Sequence, residues 1–226
     1  MIIELNGLPG SGKSFFANKI REEMQMERRK AINFSTVEKK FLAKVIYKIF
    51  ANGLFFLLGK EHIAKSIEQK YTEKESKYRT GISVKSYLTR IVYLKYLYRL
   101  GVKSKRILIL DEGMVQVLCA IYAEYCLDSG DIRKLFEYIS EPDHGIIRIM
   151  YQFPIDQSIK SIRLRNRKVC GIDELNDGEL REMLSEYSNL LSEYCHTGYD
   201  YLLLSREAPF EDNYEKLCGK MEEIMK

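Results

Sequence analysis

The chain has 226 residues and 46% hydrophobic content, enough to bury one good core, and its length suits a single domain. Charged residues make up 30%, with 36 basic against 32 acidic, and the net charge of +4 is too small to argue for a nucleic-acid or membrane partner. Five cysteines without a CxxC pair argue against a disulfide framework or a zinc site, so reduced and mostly buried thiols are expected.

Ile2 to Leu5 reads as a short apolar strand. It runs directly into a glycine motif, without the charged region, apolar stretch and cleavage site of a secretory signal, so a cytoplasmic protein is expected. Residues Gly7-Leu8-Pro9-Gly10-Ser11-Gly12-Lys13-Ser14 fit the pattern GxxxxGK[ST] completely. The glycines let the backbone bend until its N–H groups point inward at phosphates, and the helix that follows adds partial positive charge. Gly7, Pro9, Gly10, Ser11, Gly12, Lys13 and Ser14 are therefore the expected cradle for ATP or GTP. Lys13 is expected to reach the β- and γ-phosphates, and the Ser14 hydroxyl to bind Mg2+. An ordinary strand-to-helix turn has no reason to place Lys and Ser after three glycines.

Ser14 to Met26 has the period of an amphipathic helix, with Phe15, Phe16, Ile20 and Met24 as candidate buried positions. Ala31 to Phe34 is a second short strand. Residues 36 to about 100 then read as almost continuously helical, with breaks at Asn52-Gly53, Gly59 and Thr80-Gly81. Within them the uncharged run from Ile49 to Gly59 is well short of the roughly 20 apolar residues of a membrane-spanning helix, so a buried helix is expected. The patch Phe55 to Leu58 suits either a homodimer contact or a buried hairpin. Tyr87, Tyr93, Tyr96 and Tyr98 lie at helical spacings that fit core packing, and Arg79, Arg90 and Arg99 fit a solvated helical face, with binding of an acidic acceptor as the alternative. The region 36–103 is expected as a helical insertion within one domain of residues 1–226. Leaving strand two, it is positioned to cover a substrate at the carboxyl ends of the strands.

Arg106 to Leu110 is an apolar strand that ends in Asp111 and Glu112. Asp111 or Glu112 would hold the metal through water, and the other would accept the proton of an attacking hydroxyl. Either carboxylate would also suit the start of the next helix. Ile146 to Phe153 and Tyr201 to Leu204 complete the strands. Helices at about 114–127, 131–140, 155–168, 177–195 and 211–225 supply the crossovers of a parallel sheet, so the fold class is α/β, doubly wound. Pro154 opens a helix that ends in Arg163, Arg165, Arg167 and Lys168, where at least one guanidinium is expected to clamp a transferring phosphoryl group. The three histidines are scattered and form no triad or metal set.

Taken together, the Gly7 to Ser14 loop, the Asp111-Glu112 strand end and the Pro154 to Arg167 segment resemble the nucleoside and nucleotide kinase group of P-loop proteins, especially thymidylate and deoxynucleoside kinases. The resemblance implies a three-layer P-loop NTPase with a five-stranded parallel sheet. It implies Lys13 and Ser14 as phosphate and Mg2+ ligands, Asp111 and Glu112 as the acidic motif after strand three, and Arg163 to Arg167 as an arginine-bearing lid after strand four. Two departures limit it. Gly113 stands where that group usually has an arginine, and Glu38 is a weak counterpart of the acidic base that follows strand two in deoxynucleoside kinases. The expected activity is Mg2+-dependent transfer of the γ-phosphoryl group of ATP to a nucleoside, a nucleotide or a similar small-molecule acceptor. The competing expectation is a nucleotide-dependent switch that hydrolyses a nucleoside triphosphate and signals to a protein partner.

Overall fold

The apolar runs pair into one all-parallel sheet in the computed structural model, which describes residues 1–34, 62–78, 80–139, 145–165, 171–195 and 200–225. The strands are β1 (Ile2–Asn6), β2 (Ala31–Asn33), β3 (Ile107–Leu110), β4 (Ile146–Gln152) and β5 (Tyr201–Ser205). Their order across the sheet is β2-β3-β1-β4-β5. Each neighbouring pair is parallel, with Ile3 opposite Ile109 and Ile147, Ala31 opposite Ile107, and Ile149 opposite Leu202. Parallel neighbours require crossovers, so helices cover both faces and the strands read as continuous apolar runs rather than alternating ones.

The helices are α1 (Lys13–Met26), α2 (His62–Tyr71), α3 (Val84–Val102), α4 (Met114–Tyr125), α5 (Ser129–Ile139), α6 (Ile155–Arg165), α7 (Asp177–Cys195) and α8 (Phe210–Met225), with a 3-10 turn at Gly171–Asp173. Successive strand residues point to opposite faces, which divides the core in two. Ile3, Leu5, Ile109, Ile147 and Ile149 pack against Phe16, Ile20 and Met24 of α1 and Leu217 and Met221 of α8. Ile2, Leu110, Ile146 and Met150 face the second layer, built by α3, α4, α5 and α7.

Several expectations change in detail. Phe16 is buried, stacked on Tyr151 at 4.9 Å between ring centroids, but Phe15 beside it is 75% exposed at the mouth of a cavity. Residues one apart on a helix point about 100° apart, so only one phenylalanine can face the sheet. Cys119 is buried, whereas Cys126 is exposed and Cys218 partly so, and all three are free thiols. The Thr80-Gly81 break falls between α2 and α3, where Gly81 has φ 75° and Ser83 caps α3 by accepting from the Ser86 N–H at 3.2 Å. Tyr87, Leu88, Ile91, Leu94 and Tyr98 of α3 are core residues. The Asn52-Gly53 and Gly59 breaks, Glu38, the Phe55 to Leu58 patch and Arg79 lie outside the described residues. No helix among the described residues is long and apolar enough to cross a membrane.

Candidate active site

β1 delivers the chain to a tight loop whose Gly10 and Gly12 have φ of 85° and 88°, a region that glycine enters without steric cost. Gly12 is the N-cap of α1 and offers no side chain to the helix, and the first turn holds no acidic residue. The leading N–H groups and the positive end of the helix dipole are thus left for an anion. Lys13 is 6% exposed. Its ammonium donates to the carbonyls of Gly7 at 2.8 Å and Leu8 at 2.7 Å, and to the Ser11 hydroxyl at 3.3 Å. Burial pulls its pKa down to about 7, partly opposed by the nearby Glu112 and Asp111 carboxylates, while the Arg165 charge lowers it further. The loop therefore folds around its own lysine, whose charge is poorly solvated until an anion joins it.

A cavity of about 590 Å³ opens from this loop. One end is lined by Pro9, Gly10, Gly12, Lys13, Ser14, Ser161, Arg165 and Arg206, and the same cavity continues past Asp111 and Glu112 to Tyr87, Arg90, Gln116, Glu124, Met183 and Tyr187. The strand end thus carries its carboxylates to the cavity wall, as β3 predicted. Ser14 is exposed at the start of α1 and shares that wall with Asp111. Hydroxyl and carboxylate oxygens are the hard donors that Mg2+ takes, so these two residues fit the ion that a phosphate loop employs.

The arginines divide differently from expectation. Arg165 lines the cavity and is held by Asp173, with Nη2 at 2.8 Å and Nε at 3.2 Å from Oδ1. Arg163 is not on the cavity wall. Its guanidinium donates to Asp177 Oδ1 at 2.9 Å, to the Asp173 carbonyl at 3.2 Å and to the Leu175 carbonyl, which ties the end of α6 to the start of α7. Arg167 lies outside the described residues.

Two further arginines lie at the site, and only Arg206 was not singled out by sequence. Arg206, immediately after β5, donates to the Gly10 carbonyl at 3.0 Å and the Ser161 hydroxyl at 3.2 Å, with its guanidinium 4.3 Å over the Phe153 ring. Its place one residue beyond a strand's carboxyl end was the signal available. Arg90, read from sequence as part of a solvated face, has a side chain only 17% exposed and approaches Glu112 Oε2 at 3.5 Å. Its guanidinium also lies 5.9 Å over the Phe34 ring.

The far end is both polar and buried. Glu124 is 2% exposed, accepts from the Ser76 hydroxyl, and has its pKa raised by burial, with Ser76 and Thr80 opposing. The Tyr187 hydroxyl donates to the Gln116 carbonyl at 2.8 Å. Tyr87, assigned by spacing to the core, is indeed buried, yet it also forms part of this wall. Among the described residues no group of three or more His, Cys, Asp or Glu side chains forms a metal cluster.

No family model and no curated protein matches the chain. Solved structures do match in shape. A deoxyadenosine kinase from M. mycoides with bound dATP is similar at 13% identity, covering 98% of this chain and 100% of that one with a TM-score of 0.57. Structures of that enzyme with bound dCTP, and with the products dCMP and a flexible dCDP, each match at 12% identity, 99% and 100% coverage and a TM-score of 0.54. At such identity the likeness establishes the fold, the three-layer α/β arrangement of these P-loop kinases, along the whole chain.

Proposed function

We propose that the chain is a P-loop phosphotransferase that moves the γ-phosphoryl group of ATP to a hydroxyl of a small nucleoside- or nucleotide-like acceptor. The observation that carries this reading is the single cavity that runs from the phosphate loop past two carboxylates into a polar chamber. A nucleotide-dependent switch needs only the first half, whereas a kinase needs room for a second substrate in line with the γ-phosphate. Nucleotides bound by similarly folded structures support the acceptor class. A cytoplasmic site of action suits an ATP-dependent enzyme.

In this reading Lys13 exchanges the Gly7 and Leu8 carbonyls for phosphate oxygens. The uncapped start of α1 receives the remaining phosphate charge. The Ser14 hydroxyl and, through water, the Asp111 carboxylate would hold Mg2+, which would supply charge neutralisation at the phosphates. Glu112 accepts the acceptor's hydroxyl proton, with Arg90 fixing the direction of its carboxylate. Arg165 and Arg206 add positive charge where the transferred group develops negative charge.

The test is Mg2+-dependent ATP turnover with and without nucleosides, nucleoside monophosphates and phosphorylated sugars, with Lys13→Ala as control. Acceptor-stimulated ADP release that vanishes in the variant is the expected result. Tight ATP binding with no stimulation by any member of that set would favour the switch.

A further inference from the structure

Gly113 begins α4 directly after the two carboxylates, and it is the N-cap of that helix without a capping side chain. A Cβ placed on it would lie 1.8 Å from Glu4 Oε1 and 2.3 Å from both Glu4 Cδ and Cγ. The space beside Gly113 is therefore filled by a side chain from β1, more than one hundred positions earlier in the chain.

Glu4 has little freedom to retreat. It is 1% exposed, Leu110 is its neighbour on β3, and Arg148 is its partner on β4. The Arg148 Nε lies 3.7 Å from Glu4 Oε2, with both side chains within 3% of full burial. Burial raises the Glu4 pKa, and the Arg148 charge is the largest opposing influence. Glu4 Oε1, the Tyr98 hydroxyl and both polar atoms of the Asn6 amide stand buried without a hydrogen-bond partner. A carboxylate so placed is costly, and well-packed apolar residues at such positions are often as stable or more so. Stability therefore gives no reason for it, but its location does: it lies under the turn that carries Asp111 and Glu112 and beside the first N–H groups of α4.

We infer that Glu4 is a positioning residue, a prop that fixes the Asp111-Glu112-Gly113 turn against the sheet and sets the distance between Asp111 and the phosphate loop. The inference rests on the proposed role of Asp111 in holding Mg2+. Glu4 and Gly113 act as one unit: the missing Cβ admits the carboxylate, and the carboxylate takes the space and the helix-end charge that a capping side chain would otherwise take. This accounts for a glycine directly after the acidic pair.

The test reads nucleotide binding rather than turnover: the affinity of a non-hydrolysable ATP analogue with Mg2+ divided by its affinity in a chelator, for variants whose folding is verified by circular dichroism. Gly113→Ala is expected to lose about 10-fold of the wild-type ratio, the scale on which a sub-ångström to 1 Å misplacement acts. Glu4→Gln, which keeps the shape, should stay within about 2-fold, whereas Glu4→Ala, which removes the prop, should lose about 10-fold. If Gly113→Ala does not fold, Glu4→Asp, which withdraws the carboxyl by one methylene, should lose about 5-fold by the same argument. A folded Gly113→Ala, Glu4→Asp or Glu4→Ala with the wild-type ratio overturns the inference. A wild-type protein whose affinity gains nothing from Mg2+ overturns both this inference and the reading beneath it, whereas a wild-type gain untouched by every variant overturns this inference alone.

Discussion

Arg206 holds the carbonyl of Gly10 at 3.0 Å from 196 positions away, so the last strand of the sheet braces the loop that follows the first. The same guanidinium reaches Ser161 of α6 and lies over Phe153, which joins three segments at the phosphate end of the cavity. Arg206→Ala is expected to weaken ATP-analogue binding about 10-fold, the equivalent of one charge-assisted hydrogen bond, with little change in melting temperature. Arg206→Lys should recover only part, because an ammonium lacks the planar face that the guanidinium lays over the Phe153 ring. Titration of a fluorescent nucleotide checks both.

Lys13 should make the chain's stability rise with pH. Its folded pKa, lowered to about 7 chiefly by burial, lies below the 10.5 of the unfolded chain. Between these values the unfolded chain binds the extra proton, so the contribution is full above about 10.5 and is lost as pH falls through 7. Denaturant midpoints measured from pH 7 to 10 should climb more steeply for wild type than for Lys13→Met. Binding of a polyphosphate restores the ammonium, so calorimetry at pH 8 in buffers of different ionisation enthalpy should register uptake of close to one proton by wild type and less by Lys13→Met.

Glu112 and Arg90 should separate chemistry from binding. If Glu112 takes the acceptor's proton, Glu112→Gln should lower kcat by about 10²- to 10⁴-fold while ATP-analogue affinity stays near wild type. Arg90→Ala should give a smaller fall in kcat, because the carboxylate remains but its direction is no longer set. Pre-steady-state transfer to an accepted substrate distinguishes the two.

Arg163 and Arg165 should differ in their effect on turnover although they are two residues apart. Arg163→Ala is expected to cost about 1–2 kcal/mol of stability through its lost carbonyl and carboxylate partners, with turnover nearly intact at permissive temperature. Arg165→Ala should reduce kcat, and because its side chain is 27% exposed and its partner Asp173 is buried it should also cost about 1–2 kcal/mol of stability. Urea unfolding beside steady-state kinetics reads both quantities.

Local patterns in the sequence determined the elements and the phosphate loop. Period and composition alone located all five strands to within two residues at either end, because strands covered on both faces must be apolar throughout. The Gly7 to Ser14 loop and the carboxylates after β3 were equally legible, since each is a contiguous run of residue types in the sequence. Only the tertiary structure decided which side chains of each element meet. Residues two apart on a helix point about 200° apart, so spacing shows that Arg163 and Arg165 cannot share a face, but the packing of α6 chooses which one reaches the cavity. Phe15 and Phe16 divide between cavity and core for the same reason. Arg206 at Gly10, Arg90 at Glu112 and Glu4 under Gly113 join residues far apart in sequence, and such contacts follow from strand order and helix packing, which no local spacing records.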